Sequence, residues 1–150
     1  MNNGQGNRII SVNSPAGYQD NTSPTMATID TAGYAAIAYR IHLGSTDIAL
    51  SACKIRETDT IGASPTDITG ATLDSGTDIF GSTTSLPTAT ADGSVYEIIV
   101  NLKGRKRYQQ PLVTIGDGTA GATVSVTAEL LRGPGVRNVT ESGAAAIVVV

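Results

Sequence analysis

Residues 107–132 read RYQQPLVTIGDGTAGATVSVTAELLR, the pattern of two strands joined by a glycine-rich turn. In the second arm Ala122, Val124, Val126, Ala128 and Leu130 fall on one face, and Thr123, Ser125, Thr127 and Glu129 on the other. That is the two-residue period of a strand with one buried face. The first arm, Tyr108 to Ile115, contains Pro111. Proline has no N–H to give to a ladder, so this arm is expected at a sheet edge or a bulge.

The same period recurs outward from this hairpin. Upstream, Val95 to Leu102 places Tyr96, Ile98, Val100 and Leu102 inward and Glu97 and Asn101 outward. In Tyr34 to Leu43, the residues Ile37, Tyr39, Ile41 and Leu43 share one face, while Ala36, Ala38, Arg40 and His42 share the other. Ile48 to Thr58 is a further strand whose apolar parity changes between Leu50 and Cys53, which predicts a bulge near Ser51 and Ala52. A short strand is expected at Met26 to Asp30. The stretch Asp59 to Gly93 is dominated by Thr, Ser, Gly, Asp and Pro, too long for a structureless loop in a compact domain. Short strands are therefore expected at Thr66 to Thr69 and Asp78 to Phe80. No segment shows an apolar period of 3.6, so the expected class is all-β: an antiparallel β-sandwich with extended N- and C-terminal arms.

The expected organisation is an N-terminal arm over 1–24, a sandwich domain over 25–134 and a C-terminal arm or added strand over 135–150. The first segment is rich in Asn, Gly, Ser and Pro, with Ile9, Ile10 and Val12 as its apolar content. At the other end, burying Ile147, Val148, Val149 and Val150 contributes roughly 6 to 8 kcal/mol. Fixing the backbone from Ala144 onward costs roughly 7 to 14 kcal/mol. The tail is thus expected to be ordered only if it also pairs as a strand, within its own sheet or on a neighbour's edge.

Composition narrows the function. A chain of 150 residues suits one core. With 4% aromatic residues and no Trp, that core is made of Ile, Val, Leu and Ala, which fill a thin layer between sheets. Charged residues are 15% of the chain, against about a quarter in an average soluble domain, a surface suited to packing against neighbours. The net charge of −3 opposes nucleic-acid binding by phosphate neutralisation. Cys53 is the only cysteine, which excludes an internal disulfide and the usual zinc spacings. The opening MNNGQGN lacks the charged-then-apolar order of a signal peptide, and no apolar run approaches the roughly 20 residues of a membrane helix. The expectation is a cytoplasmically made protein without a membrane partner.

Each motif has a plainer reading beside its functional one. GDGTAG at 116–121 matches G-x-G-x-x-G, and Glu141 stands at the distance at which a ribose-binding acid is expected. The dinucleotide motif must open a helix, whereas ATVSVTAELL follows here, so a hairpin connection is the better reading. The cluster KGRKR at 103–107 reads as a contact for an acidic protein patch or as a solvated turn, and less well as a nucleic-acid contact. Asp74 to Asp78 offers oxygens but lacks the EF-hand spacing. His42, the only histidine, has no metal-ligand neighbour in sequence and reads as structural. Asn21-Thr22-Ser23 and Asn138-Val139-Thr140 are formal glycosylation sequons. There is no G-x-S-x-G elbow. The reading is of a protein without catalytic, metal or cofactor residues.

Three stretches, GYAAIAYRIHLGSTDIALSACKIRETD, SPTDITGA and VYEIIVNLKGRKRYQQPLVTIGDGTAGATVSVTAELLRGP, resemble the small β-sandwich decoration, or cement, proteins of tailed bacteriophages. The resemblance spans roughly Thr25 to Pro134. It implies a jelly-roll-like sandwich and a virion protein on the capsid surface, a homotrimer in expectation, that binds the major capsid protein and stabilises contacts between its subunits. The expected contacts are Arg8, Ile9 and Ile10 in the arm, Lys103, Arg105, Lys106 and Arg107 in the turn, and Ile147, Val148, Val149 and Val150 in the tail. The alternative is a head-fibre or tail-associated jelly-roll module for host-surface glycans, for which only Tyr18, Tyr34 and Tyr108 remain as outward tyrosines.

Overall fold

The structure, a computed structural model, describes residues 6–14, 16–133 and 143–150. The sequon at Asn138, Glu141 and the parts of the expected arms at 1–5 and 134–142 lie outside the described residues. Nine strands follow in chain order: β1 (Arg8–Asn13), β2 (Ile29–Asp30), β3 (Ala36–Thr46), β4 (Leu50–Thr58), β5 (Thr66–Thr72), β6 (Val95–Asn101), β7 (Tyr108–Ile115), β8 (Ala122–Leu131) and β9 (Ala146–Val149). They form two sheets, ordered β1-β8-β3-β6-β9 and β2-β7-β4-β5. The sheets pack face to face as a β-sandwich, and there is no helix among the described residues.

The alternating apolar residues fill the space between the layers. From the first sheet come Ile37, Tyr39, Ile41, Ile98, Val100, Val124 and Val126, and from the second Cys53, Ile55, Ile68, Val113 and Ile115, all buried in one cluster. Burial of this kind stabilises by about 25 cal/mol per Å² of apolar surface removed from water. Thin β-branched side chains suit two sheets roughly 10 Å apart. The parity change in β4 corresponds to a register shift against β7 between Leu50 and Ala52, at the expected bulge. Pro111 sits where β7 has outrun the two-residue β2, which pairs only with Tyr108 and Gln109. Its missing N–H therefore leaves no ladder position unmet on that side.

The first and last strands of the described residues join the edges of the first sheet. β1 pairs antiparallel with β8, from Arg8 opposite Leu130 to Asn13 opposite Val126. β9 adds parallel to β6, from Tyr96 opposite Ala146 to Ile99 opposite Val149. Beyond that ladder, the Val150 N–H donates to the Ile99 carbonyl at 3.0 Å and the Asn101 N–H donates to the Val150 carbonyl at 2.7 Å. The described part of the tail thus meets the condition for order by pairing within its own sheet.

Other expectations are corrected. Met26 to Asp30 pairs only at Ile29 and Asp30; Met26 is buried and gives its carbonyl to the Gln110 side chain instead. Asp78 to Phe80 is a turn with isolated bridges at Thr77 and Asp78, because the Asp78 carboxylate accepts from the Phe80 and Ser82 amides. Glu97, expected outward, does lie on the outer face of its sheet but is 2% exposed. On that same face Ala36, Ala38, Ile99, Leu131 and Ile147 form a second apolar cluster, so outer does not mean solvated there.

Antiparallel order gathers the connections at two poles. One carries the 31–35, 59–65 and 102–107 connections and the exit of β8; the other carries 47–49, 116–121 and the two ends of 73–94.

Candidate interaction surface

The glycine-rich loop at 116–121 already holds an anion of its own chain. Asp47, on the β3–β4 connection, accepts through Oδ2 from the amides of Thr119 at 3.1 Å and Ala120 at 2.8 Å, and through Oδ1 from Gly121 at 2.8 Å. Asp20 accepts from the Gly118 amide at 2.7 Å. These amides, the Ala120 N–H first, hold the Asp47 carboxyl below its usual range. Gly121 has φ of 87° and no room for a Cβ, which would meet the Gln19 carbonyl, so glycine is required by the hairpin itself. The donors that a phosphate would need are occupied by a carboxylate.

The basic turn between β6 and β7 is anchored by acids of the second sheet. Arg107 donates through Nε to Asp30 Oδ1 at 2.9 Å and through Nη2 to Oδ2 at 2.7 Å, a bidentate pair. The Arg107 carbonyl accepts from the Thr31 amide and hydroxyl. The Arg107 guanidinium, with the Ala32 amide, lowers the Asp30 carboxyl to about 2. Glu57 accepts from the Lys106 amide at 3.1 Å and lies 3.9 Å from Arg105 Nη1, while Lys106 Nζ donates to the Thr66 hydroxyl. Lys103 is exposed. Arg107 stacks on Tyr108 at 5.2 Å, and Arg132 stacks on Tyr34 at 5.6 Å, so two of the three tyrosines held available for glycans carry a guanidinium on one face.

The remaining expected contacts divide by burial. Arg8 is exposed and Ile9 is 72% exposed on β1, whereas Ile10 packs on the core. Ile147 and Val148 are buried within this chain, one beneath each face of the first sheet. Pairing with β6 makes their side chains part of the chain's own core. Val149 is 49% exposed, and Val150 is partly buried against Gly70.

No family model, curated protein or solved structure matches the chain. Function therefore rests on what the side chains present.

Among the described residues no group of His, Cys, Asp and Glu is arranged to hold a metal, and no helix is long and apolar enough to cross a membrane. Cys53 is buried, and burial pushes its thiol up to about 12. Composition did not reveal Ile61 and Phe80, 68% and 71% exposed on connections. A single apolar residue in a polar loop has no period to mark it.

Proposed function

We propose that this chain is a structural virion protein that binds the outside of a phage capsid and stabilises contacts between major capsid protein subunits. The observation that carries the reading is the placing of exposed apolar side chains at both edges of one sheet, Ile9 on β1 and Val149 on β9. A protein that bridges a joint between two shell subunits needs contact surface on two flanks, and each exposed apolar side chain is an anchor for one of them. The weakly charged surface and the resemblance over Thr25 to Pro134 support the same reading. Self-association as a trimer around a symmetry point would add avidity.

The test is occupancy on capsid shells assembled without the protein, read by electron microscopy. Ile9→Asp and Val149→Asp, both at exposed sites, are expected to lower occupancy at least 10-fold while leaving the melting curve unchanged; unchanged occupancy for both overturns the reading. These variants are cleaner than deletion of Met1 to Ser23, which would strip β1 from β8.

The alternative, a jelly-roll module for host-surface glycans, is favoured by the exposed rings of Tyr18, 56% exposed, and Phe80. Binding of the wild-type chain to a glycan array, lost in Tyr18→Ala and Phe80→Ala, would establish it.

A further inference from the structure

The charges are sorted between the poles of the sandwich. Around the β6–β7 turn stand Arg8, Lys103, Arg105, Lys106, Arg107 and Arg132. Among the described residues the acids near that pole are Asp30, Glu57, Asp59 and Asp67; the first two are held by the turn and Asp67 is paired with Lys54. At the opposite pole Asp20, Asp47, Asp74, Asp92 and Asp117 are all exposed, and no lysine or arginine of the described residues lies on those connections. Amides hydrogen-bond to Asp20, Asp47 and Asp92 but do not neutralise them. At about 3.3 Å per residue along the 11 residues of β3, the poles are on the order of 35 Å apart. That exceeds the roughly 8 Å screening length of physiological salt, so each pole acts on what faces it, and the pair orients the molecule in an external field.

The basic pole also presents Ile61, 68% exposed on the β4–β5 connection. An apolar anchor within a cationic rim is the composition of a protein interface. A polyphosphate partner is disfavoured. Arg105 and Arg107 already face carboxylates, which leaves few cations to neutralise phosphates. Tyr34 and Tyr108, each stacked with arginine, are poor platforms for bases.

We infer that the basic pole, with Ile61 at its edge and Lys103, Arg132 and Arg8 as cations that have no carboxylate partner among the described residues, is the docking face for an acidic protein surface, so that the sandwich stands end-on with its aspartate pole outward. The inference deepens the shell-binding reading and rests on it for the partner, an acidic patch on a capsid subunit.

The full chain is titrated onto capsid shells lacking it, with wild type beside Lys103→Glu/Arg132→Glu, Ile61→Asp and the opposite-pole control Asp74→Lys/Asp117→Lys. The expected result is binding at least 10-fold weaker for the first two variants, a shallower salt dependence for the charge reversal, and wild-type binding for the control. Wild-type binding by both basic-pole variants overturns the inference and leaves shell binding standing. If the shells take up no protein, the shell-binding reading falls. The docking face is then decided on immobilised poly-L-glutamate: retention lost in Lys103→Glu/Arg132→Glu upholds it, and retention equal to wild type overturns it. Tighter binding of the wild-type chain to double-stranded DNA or to phosphatidylserine vesicles than to poly-L-glutamate overturns the choice of a protein partner.

Discussion

The hydroxyl of Tyr39, on β3, donates a 3.2 Å hydrogen bond to Oε1 of Gln109, on β7 in the facing sheet, and both side chains are fully enclosed. Gln109 Nε2 has no hydrogen-bond partner among the described residues. This polar pair joins the two layers in an otherwise apolar core, and its parts depend on each other.

Tyr39→Phe leaves the Gln109 carbonyl oxygen unpaired and is expected to cost about 1 to 3 kcal/mol; Gln109→Leu strands the hydroxyl at a similar cost. The double variant is expected to cost less than the sum, because both polar partners leave together. Urea denaturation of the four proteins measures the coupling, and strict additivity would contradict it. Burial raises the Tyr39 hydroxyl well above its ordinary value, so this tyrosine should ionise only on alkaline unfolding.

Arg40 lies 3.0 Å from Glu129 and 3.7 Å from Glu97, whose side chain is 3% exposed. Removing the guanidinium by Arg40→Met leaves Glu97 in a low-dielectric site without that charge. The expected loss is about 2 to 4 kcal/mol, somewhat under the cost for a fully buried pair because Arg40 is a quarter exposed. Adding Glu97→Gln should recover part of it. Thermal unfolding of the single and double variants checks both statements.

The Cys53 thiol is buried and held up to about 12, so at pH 8 it carries almost no thiolate. Labelling by 5,5′-dithiobis(2-nitrobenzoate) is expected to be negligible in the folded protein and complete in denaturant. Rapid labelling without denaturant would mean that the β4 core opens locally.

Asp30 is lowered to about 2 from an ordinary 3.8, chiefly by the Arg107 hydrogen bonds. The folded state therefore binds this proton more weakly than the unfolded state. Its contribution is present above pH 3.8 and is lost as pH falls toward 2. The pair is largely exposed, so Asp30→Asn is expected to cost less than about 1 kcal/mol at neutral pH. The difference from wild type should shrink in 1 M salt and vanish only below pH 2, as acid and salt melts would show.

Much of the sandwich was legible residue by residue. Alternation in Ala122 to Leu130 and in Ile37 to Leu43 named the inward faces, and the parity change before Cys53 located the bulge. Of the short strands, Thr66 to Thr69 stands within β5, whereas Met26 to Asp30 shortened and Asp78 to Phe80 failed where alternation did not select between states. Asp78 captured its neighbours' amides, and Met26 gave its carbonyl to a side chain far along the chain. Glu97 failed for another reason: period assigns it a face correctly, but no local pattern tells whether that face meets water.

By itself the sequence determined an all-β chain with an Ile, Val and Leu core, glycine-rich turns and a tail that needed a strand partner. Only the tertiary structure decided that β9 runs parallel along β6, that β1 closes on β8, and that Asp47 fills the amides of the 116–121 loop. It also decided the sorting of cations and aspartates to opposite poles. The physical reason is range. Alternation and turn chemistry act between residues a few positions apart, whereas edge pairing, carboxylate capture and charge sorting join residues that share a place only once the sheets have formed.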